Sequence, residues 1–352
     1  MPLAKSAAAL PLDMPRSGAP FLSLAPMDGV TDAITRALLT DYAGGDSGIS
    51  LCTSEFVRVT REPVPEKVLL RHCPELRQGG RTSAGVPVTV QLLGGDPAPM
   101  AESARRAAAL GAPGIDLNFG CPAKTVNRHD GGATLLKFPG RLRAIVQAVR
   151  DLVPAERPVS VKLRTGWASS ERMEEIALAA EAGGASWLTI HGRTRMDMYG
   201  PPADFGPIGR ARAVVAIPVV ANGDLSTPRQ VDRCRAISGC EAYMIGRPAM
   251  ARPWLFRQLR GHPPDGRAAY IALLLDFADR LIAAGTTDHR TLGRLKNWLS
   301  LSCRIEPAFR SLFDAVKREQ HLPALLKTLV AAAHDKGGND PVSGRFEPVH
   351  GP

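Results

Sequence analysis

Residues 86–120 read VPVTVQLLGGDPAPMAESARRAAALGAPGIDLNFG. The stretch opens on VPVTVQLLG, a nearly continuous apolar run of strand length. Such a run suits a strand covered on both faces, whereas a strand with one wet face alternates. Asp96 then precedes Pro97, a capping residue followed by the residue that tolerates a first helical turn best. Strong helix formers follow in AESARRAAALGA, and the chain returns to a second apolar run, GIDLNFG. The unit reads strand, helix, strand, and a crossover of this length joins parallel strands.

The same unit recurs on either side. Further apolar runs stand at 21–27 (FLSLAPM), 49–56 (ISLCTSEF), 158–166 (PVSVKLRTG), 186–194 (SWLTIHGRT), 218–224 (PVVANGD) and 242–247 (AYMIGR), which brings the total to eight. Helical segments lie between them. ERMEEIALAAEAGGA (171–185) ends in a Gly pair, a stop signal, and Thr227-Pro228 opens RQVDRCRAI as Asp96-Pro97 opens its own helix. Eight such units in series predict an α/β fold, a (β/α)8 TIM barrel over residues 21–256. A doubly wound open sheet is the weaker alternative, because no G-x-G-x-x-G follows the first strand. After Phe256 the pattern changes. RAAYIALLLDFADRLIAAG, TLGRLKNWLSLSCR and HLPALLKTLVAAAHDK carry helical periodicity, so residues 257–337 are predicted as a small all-α helical domain. Residues 1–20 read as a flexible extension and 338–352 as a disordered tail.

Composition narrows the function. The chain has 352 residues, 44% hydrophobic and 22% charged, which suits a globular protein with a sizeable core. No stretch approaches the ~20 apolar residues of a helical membrane span, so no membrane partner is expected. The N-terminal MPLAKSAAALPLDMPRSGAP is not a secretory signal, since Pro11 interrupts a short apolar patch. The six cysteines (52, 73, 121, 234, 240 and 303) form no C-x-x-C pair and no His/Cys cluster at ligand spacing. Neither a disulfide framework nor a metal site is expected, and a reducing cytoplasm is the natural setting. Net charge is +10, from 44 basic and 34 acidic residues. Residues 257–337 hold 13 Lys/Arg against 8 Asp/Glu, so half of the excess lies in that helical segment. Beside a barrel mouth this reads as a clamp for a polyanion, or else as the solvated face of an ordinary bundle.

Reacting groups of such barrels sit at the C-terminal ends of the strands. Taken in order, the runs deliver Pro26 and Met27, Glu55, Gln91, Asn118 and Cys121, Lys162 and Arg164, His191 and Arg193, Asn222-Gly223-Asp224, and Gly246-Arg247. A barrel that only had to fold would not need polar groups at nearly every mouth position. The glycines after the seventh and eighth runs lie where barrels of this kind hold phosphate on backbone amides. Lys162, if it points inward, is a buried cation in want of an anion. It suits either the negative charge of a reduced flavin or a Schiff-base chemistry. Gln91 can donate to and accept from a ring edge, and His191 can bind substrate, phosphate or cofactor. Glu55 either touches substrate or pairs with Arg58 or Arg61. Cys121, between Gly120 and Pro122, is filler beside a turn, a nucleophile if its pKa is depressed, or an acid if the thiol stays protonated.

Several longer motifs occur together: LAPMDGVTD, QLLG, DLNFGCPAKTV followed by GGATLLK, SVKLRTGW, HGRT, VVANGD and MIGRPAM, in that order. In these the chain resembles the tRNA-dihydrouridine synthases, closely over residues 21–256. SEFVRV, RHCPEL and LGRLKNWL further resemble the C-type bacterial subfamily, which is associated with the D-loop uridine at position 16 of tRNA, the tRNA-dihydrouridine(16) synthases. The resemblance implies an FMN barrel with a helical tRNA-binding domain. FMN is reduced by NADPH and then reduces the uracil C5=C6 bond. It implies that Cys121 is the acid that protonates C5 after a hydride reaches C6 from flavin N5. It places Pro26, Met27, Gln91, Lys162, His191, Asn222, Gly223, Asp224, Gly246 and Arg247 against FMN, and Asn118 against the flipped uracil. Glu55, Arg164, Arg193, Tyr199, Arg294 and Lys296 become substrate contacts. The partner implied is tRNA, held at its D-loop and elbow by a monomeric enzyme. VNRHDGGA departs from the family pattern in Arg128, His129 and Asp130, and HGRTRMDMYGPPADF departs as well. Both loops bear on which uridine is chosen. Another FMN barrel, of dihydroorotate or enoate reductase type, would explain the flavin residues but not the basic helical segment. A non-catalytic RNA-binding protein would need neither Cys121 nor Lys162.

Overall fold

The structure is a computed structural model that describes residues 20–43, 48–127, 131–200 and 202–334. The extension 1–19, the tail from 335 and the Arg128, His129 and Asp130 segment therefore lie outside the described residues. Among the described residues nine strands are present: β1 (Phe21–Leu24), β2 (Leu51–Thr53), β3 (Val57–Arg58), β4 (Val88–Leu93), β5 (Ile115–Asn118), β6 (Val159–Arg164), β7 (Trp187–His191), β8 (Val219–Asn222) and β9 (Ala242–Ile245). β1 pairs with both β2 and β9, β2 reaches β4, and β4 to β9 follow one another, so eight strands close on themselves. Every pairing among them is parallel. The eight apolar runs are these eight strands, and the fold is a TIM barrel. β3 follows directly on the ISLCTSEF run and was not legible as a separate strand. It adds two residues alongside Leu92 and Leu93 at the mouth end of β4.

Helices α1 (Ala33–Ala43), α2 (Glu66–His72), α3 (Pro97–Ala109), α4 (Lys124–Asn127), α5 (Pro139–Leu152), α6 (Met173–Ala182), α7 (Gly206–Val214) and α8 (Pro228–Ser238) connect the strands. Their starts follow local chemistry. Asp96 accepts the Ala98 N–H at 3.2 Å, and Thr227 accepts the Gln230 N–H at 3.2 Å, each just before a proline in the first turn. Neighbouring helices α3, α5, α6, α7 and α8 pack in sequence around the sheet.

The barrel interior has two chemically distinct halves. Phe21, Leu51, Trp187, Val220, Ala242 and Met244 form one apolar cluster, with Ala25 above them. It joins β2 to β7, which are not neighbours in the sheet, so the cluster crosses the interior. Register then places the partners of these residues on the same inward face. Ser160 lies beside Trp187, Asp116 beside Ser160, and Gln91 beside Asp116. The inward face of β4 to β6 is therefore polar, and it faces an apolar half. This division positions the site.

The described chain divides into two compact units after Gly246. The second carries α9 (Arg247–Ala251), α10 (Leu255–Gln258), α11 (Arg267–Ala283), α12 (Asp288–Ile305), α13 (Arg310–Val316) and α14 (Leu322–His334). The short α9 belongs to it because Trp298 Nε1 and Ser302 Oγ of α12 donate to the Met250 carbonyl at 2.7 and 3.0 Å. That carbonyl sits at the helix C-terminus, where no intrahelical donor is available. Tyr270 stacks on Phe309 at 4.0 Å between centroids, and Phe277 meets Trp298 edge-on at 4.8 Å.

One buried ion pair braces the entry to the first mouth loop. Arg36 of α1 is fully buried and donates from Nε and Nη2 to Glu75, both at 2.8 Å. Its Nη1 donates to Thr31 O at 2.7 Å, and Thr31 Oγ1 accepts the Met27 N–H at 2.7 Å. Removing one partner strands a charge out of water. Glu75→Ala is expected to lower the urea unfolding free energy by about 3–5 kcal/mol. A loss under about 1 kcal/mol would mean that water reaches Arg36.

Candidate active site

A chain of buried side chains runs from the barrel floor to the cysteine turn. Ser160 Oγ donates to Asp116 Oδ1 at 2.6 Å, and Gln91 Nε2 donates to Asp116 Oδ2 at 2.7 Å. Gln91 Oε1 accepts from Asn118 Nδ2 at 2.9 Å, and Asn118 Oδ1 accepts the Gly120 N–H at 3.0 Å. Each link dictates the next. The Gly120 N–H can only donate, so Asn118 gives it an oxygen and turns its NH2 to Gln91 Oε1, which leaves the Gln91 NH2 for Asp116. Burial pushes the Asp116 carboxyl up from its ordinary range, and the bonds from Ser160 and Gln91 oppose that shift.

The turn so fixed carries Cys121. Arg164 Nε holds Gly120 O from the β6 side at 3.0 Å. The Cys121 carbonyl accepts from Asn127 Nδ2 at 3.0 Å and from the Ala133 N–H at 3.1 Å. Asn127 Oδ1 takes the Thr134 N–H and hydroxyl at 2.8 and 2.9 Å. Gly132 has φ +59°, and a Cβ there would come within 2.9 Å of Cys121 O, so only glycine lets this segment close on the turn. The thiol is partly exposed. Burial pushes its pKa up, and the nearby Asp28 charge adds to this, while the Ala123 N–H, Arg164 and Lys162 pull it down. The net rise keeps Cys121 a thiol at neutral pH.

Lys162 points inward beside Asn118 and Thr189. Its Nζ donates to Asn222 Oδ1 at 3.3 Å, and Asn222 Nδ2 donates to Met244 O at 2.7 Å. No carboxylate lies within ion-pair distance of Lys162 among the described residues. Burial, with Arg164 second, lowers its pKa from 10.5 to about 8. Past Asn222 the chain turns through Gly223 (φ +121°) and Asp224 (φ +48°). A Cβ at Gly223 would press within 2.9 Å of Ala203 Cβ. Gly246, at the end of β9, would meet only ordinary contacts at 3.4 Å from Ala25 and 3.5 Å from Met27 Sδ, so the protein's own packing does not demand glycine there.

Two arginines expected to face substrate are buried and committed to the protein. Arg164 donates from Nη1 to Thr194 O and Met198 O, both at 2.8 Å, besides Gly120 O, and its guanidinium lies 5.2 Å from the Tyr199 ring. Arg193 pairs with Asp224 at 2.5 Å, and the same carboxylate accepts the Ala203 N–H at 2.9 Å. Strand-end position does not distinguish a rim arginine from one turned into the loops. Tyr199 is exposed and meets His191 edge-on at 6.5 Å. Gln91 and Asn118 use both of their amide atoms within the chain above. Glu55 makes no ion pair with Arg58 or Arg61. Its Oε1 is buried without a partner, and burial together with Asp32 pushes its pKa up. Arg247, Arg294 and Lys296 belong to the second unit. Two positions apart on α12, Arg294 and Lys296 leave the axis about 200° from each other. Arg294 lies 5.1 Å from the Phe277 ring, and Lys296 donates to Glu319 O. Asp116, Ser160 and Asn127 were not singled out from the sequence. Period-two counting from Asn118 and Lys162 finds the first two, but nothing local marks Asn127.

The depressed Lys162 pKa has a signed consequence. Between about 8 and 10.5 the unfolded chain holds a proton on this amine that the folded chain has released. More protons on the unfolded side means that stability rises with pH across this window. Without ligand, the wild-type protein should gain urea stability relative to Lys162→Met as pH rises through the window. Parallel pH profiles for the two proteins would show instead that the amine is hydrated.

The residues compared with known proteins agree on one family. The dihydrouridine synthase family matches residues 23–334. A tRNA-dihydrouridine(16) synthase of Aquipseudomonas alcaligenes is 44% identical over 308 residues, 85% of this chain and 95% of that protein. The protein of the same name from Escherichia coli K12 is 42% identical over 314 residues, 89% and 98% of the two chains. Among solved structures, histamine dehydrogenase from Rhizobium sp. 4-9 superposes with a TM-score of 0.52 at 14% identity, over 68% of this chain and 45% of that one. At that identity the likeness speaks for the barrel fold alone. The chain belongs to the dihydrouridine synthase family.

Proposed function

We propose that this enzyme reduces the C5=C6 bond of a tRNA uridine to 5,6-dihydrouridine, with FMN as cofactor and NADPH as electron donor. The uridine is the D-loop residue at position 16, in keeping with the names of the relatives. The enzyme acts as a monomer in the cytoplasm, and no helix among the described residues is long and apolar enough to cross a membrane. The observation that carries the reading is a thiol held protonated on a fixed turn at the barrel mouth, within the electrostatic reach of Lys162.

The mouth residues fit a flavin phosphate and ring. Lys162 is a buried cation whose side-chain partner is an amide oxygen, so an anionic group beside it supplies the missing counter-charge. The Asn222-Gly223-Asp224 turn and Gly246 offer backbone amides for phosphate, with Arg247 as a further contact. Pro26, Met27, Gln91 and His191 border the ring. When bound and reduced, a flavin held there would supply the hydride for uracil C6.

Cys121 gives its Sγ proton to C5, and solvent restores it. This needs a thiol rather than a thiolate, which burial provides. Asn118 holds the turn through Gly120 and presents the remaining valence of its NH2 to the base. Glu55 and Tyr199 contact the substrate at the rim. Arg164 and Arg193 act on it through the loops they hold. The uridine has to leave its stack to arrive here, and contacts elsewhere must offset the unstacking. The basic helical segment with Arg294 and Lys296 supplies such contacts to phosphates.

Cys121→Ala should retain FMN and tRNA binding and lose almost all dihydrouridine formation. Near-normal turnover of that variant would remove the cysteine from the chemistry. Mass-spectrometric mapping of tRNA from a strain lacking the gene should show uridine in place of dihydrouridine at position 16. Dihydrouridine persisting there, and missing at another site, would reassign the target. A preparation that takes up no FMN would refute the cofactor.

A further inference from the structure

We propose that Trp167, Lys137 and Arg195 form a clamp for backbone phosphates of the bound RNA, on the β6–β7 side of the mouth. The proposal rests on the reading that the substrate is RNA, and it concerns residues to which no role has been given so far. Trp167 stands three residues past the end of β6, and Arg195 four past β7. Lys137 ends the short helical turn Gly132–Lys137 that closes on the Cys121 turn. Backbone bonds tie the two loops together, Arg195 N–H to Gly166 O at 2.9 Å and Met196 N–H to Trp167 O at 3.0 Å.

The indole collects both cations. Lys137 Nζ lies 4.2 Å and Arg195 Cζ 4.9 Å from the Trp167 ring centroid. The two positive charges are therefore within about 9 Å of each other. Like charges at that range repel, and the ring quadrupole offsets only part of this. A carboxylate between them would be the usual remedy, but among the described residues neither cation makes an ion pair. Arg195 Nε is buried and has no hydrogen-bond partner. The guanidinium's other contact is a long one, Nη1 to Met196 Sδ at 3.6 Å. The neighbouring charged groups are taken. Asp197 accepts the Thr194 N–H and hydroxyl, both at 2.8 Å, and Arg172 is paired with Glu175 at 2.7 Å while its Nη1 holds Lys137 O. The charge on Lys137 and Arg195 is thus left for a ligand.

The surroundings indicate which anion. Phe138 and Met196, the chain neighbours of the two cations, are exposed, and Met198 and Tyr199 are exposed further along the β7 loop. Cations interleaved with exposed aromatic and thioether surface suit a single-stranded or looped nucleic acid, whose phosphates meet the charges while unstacked bases lie on the apolar faces. A uridine withdrawn from its loop toward Cys121 presents such a strand. A small phosphate ligand would use the charges and leave the apolar faces idle.

The test is the salt dependence of tRNA binding by wild type, Lys137→Gln and the Lys137→Gln/Arg195→Gln double variant, with each fold checked by thermal melting. Each single-strand phosphate contact contributes about 0.7 to the slope of log K against log salt. The double variant should flatten the slope by about 1.4 and the exposed-site single variant by about half of that, with weaker tRNA binding in both. Slope and affinity matching wild type in the double variant would overturn the clamp. So would an unchanged slope with a raised KM for NADPH, since that assigns the charges to the dinucleotide. Wild-type protein that binds tRNA with the full slope but forms no dihydrouridine counts against the proposed reaction and not against the clamp.

Discussion

The Asp116 carboxylate, wholly buried on the inward face of β5, sets the polarity of everything above it. With accepting oxygens at the floor and the Gly120 N–H, a donor, at the top, the row of amides between them has one way to be oriented. Gln91, Asn118 and Gly120 take that orientation in turn. Without the acid, the Gln91 NH2 would be left buried with no acceptor, while the Gly120 N–H would still require the Asn118 oxygen. Buried networks of this kind are costly when half satisfied and specific when complete. Ser160 completes this one by meeting the other carboxylate oxygen.

The same interior explains why the thiol stays a thiol. Two cations, Arg164 and Lys162, act on Cys121 and favour its ionised form, yet burial and the Asp28 charge outweigh them. Lys162 is itself weakened as a cation by the burial that surrounds it. A lysine that is partly neutral near pH 8 attracts a thiolate less than a solvated one would. Desolvation thus acts on both groups in the direction that an acid role requires, whereas an activated nucleophile would need the reverse.

The sequence was most informative where physics is local. Strand–helix repetition, proline-led helix starts and the polar groups at strand ends were all legible, and the eight runs are the eight barrel strands. Interactions between distant positions were not. Arg36 and Glu75 are 39 positions apart, and only the fold makes them a buried pair. Arg164 and Arg193 follow the same periodicity as the inward-facing Lys162 and His191, but long side chains can turn into the loops instead of the mouth. Glu55 has two arginines shortly after it in sequence, Arg58 and Arg61, and pairs with neither. β3, two residues just past the second run, is too short to leave a pattern of its own.

These buried arginines share a task. Arg36 holds Thr31 O in the loop after β1, and Arg164 gathers Gly120 O, Thr194 O and Met198 O from the loops after β5 and β7. Arg193 joins the β7 end to Asp224 after β8. A planar guanidinium with five donors can tie several carbonyls at once, which a lysine ammonium on a flexible stem does poorly. The mouth loops are therefore pinned to one another by buried cations. Contact with a polyanion falls to cations placed beyond the strand ends. Arg193 and Arg195 make the distinction within three residues: the first pairs with Asp224, while the second rests on Trp167 and makes no ion pair among the described residues.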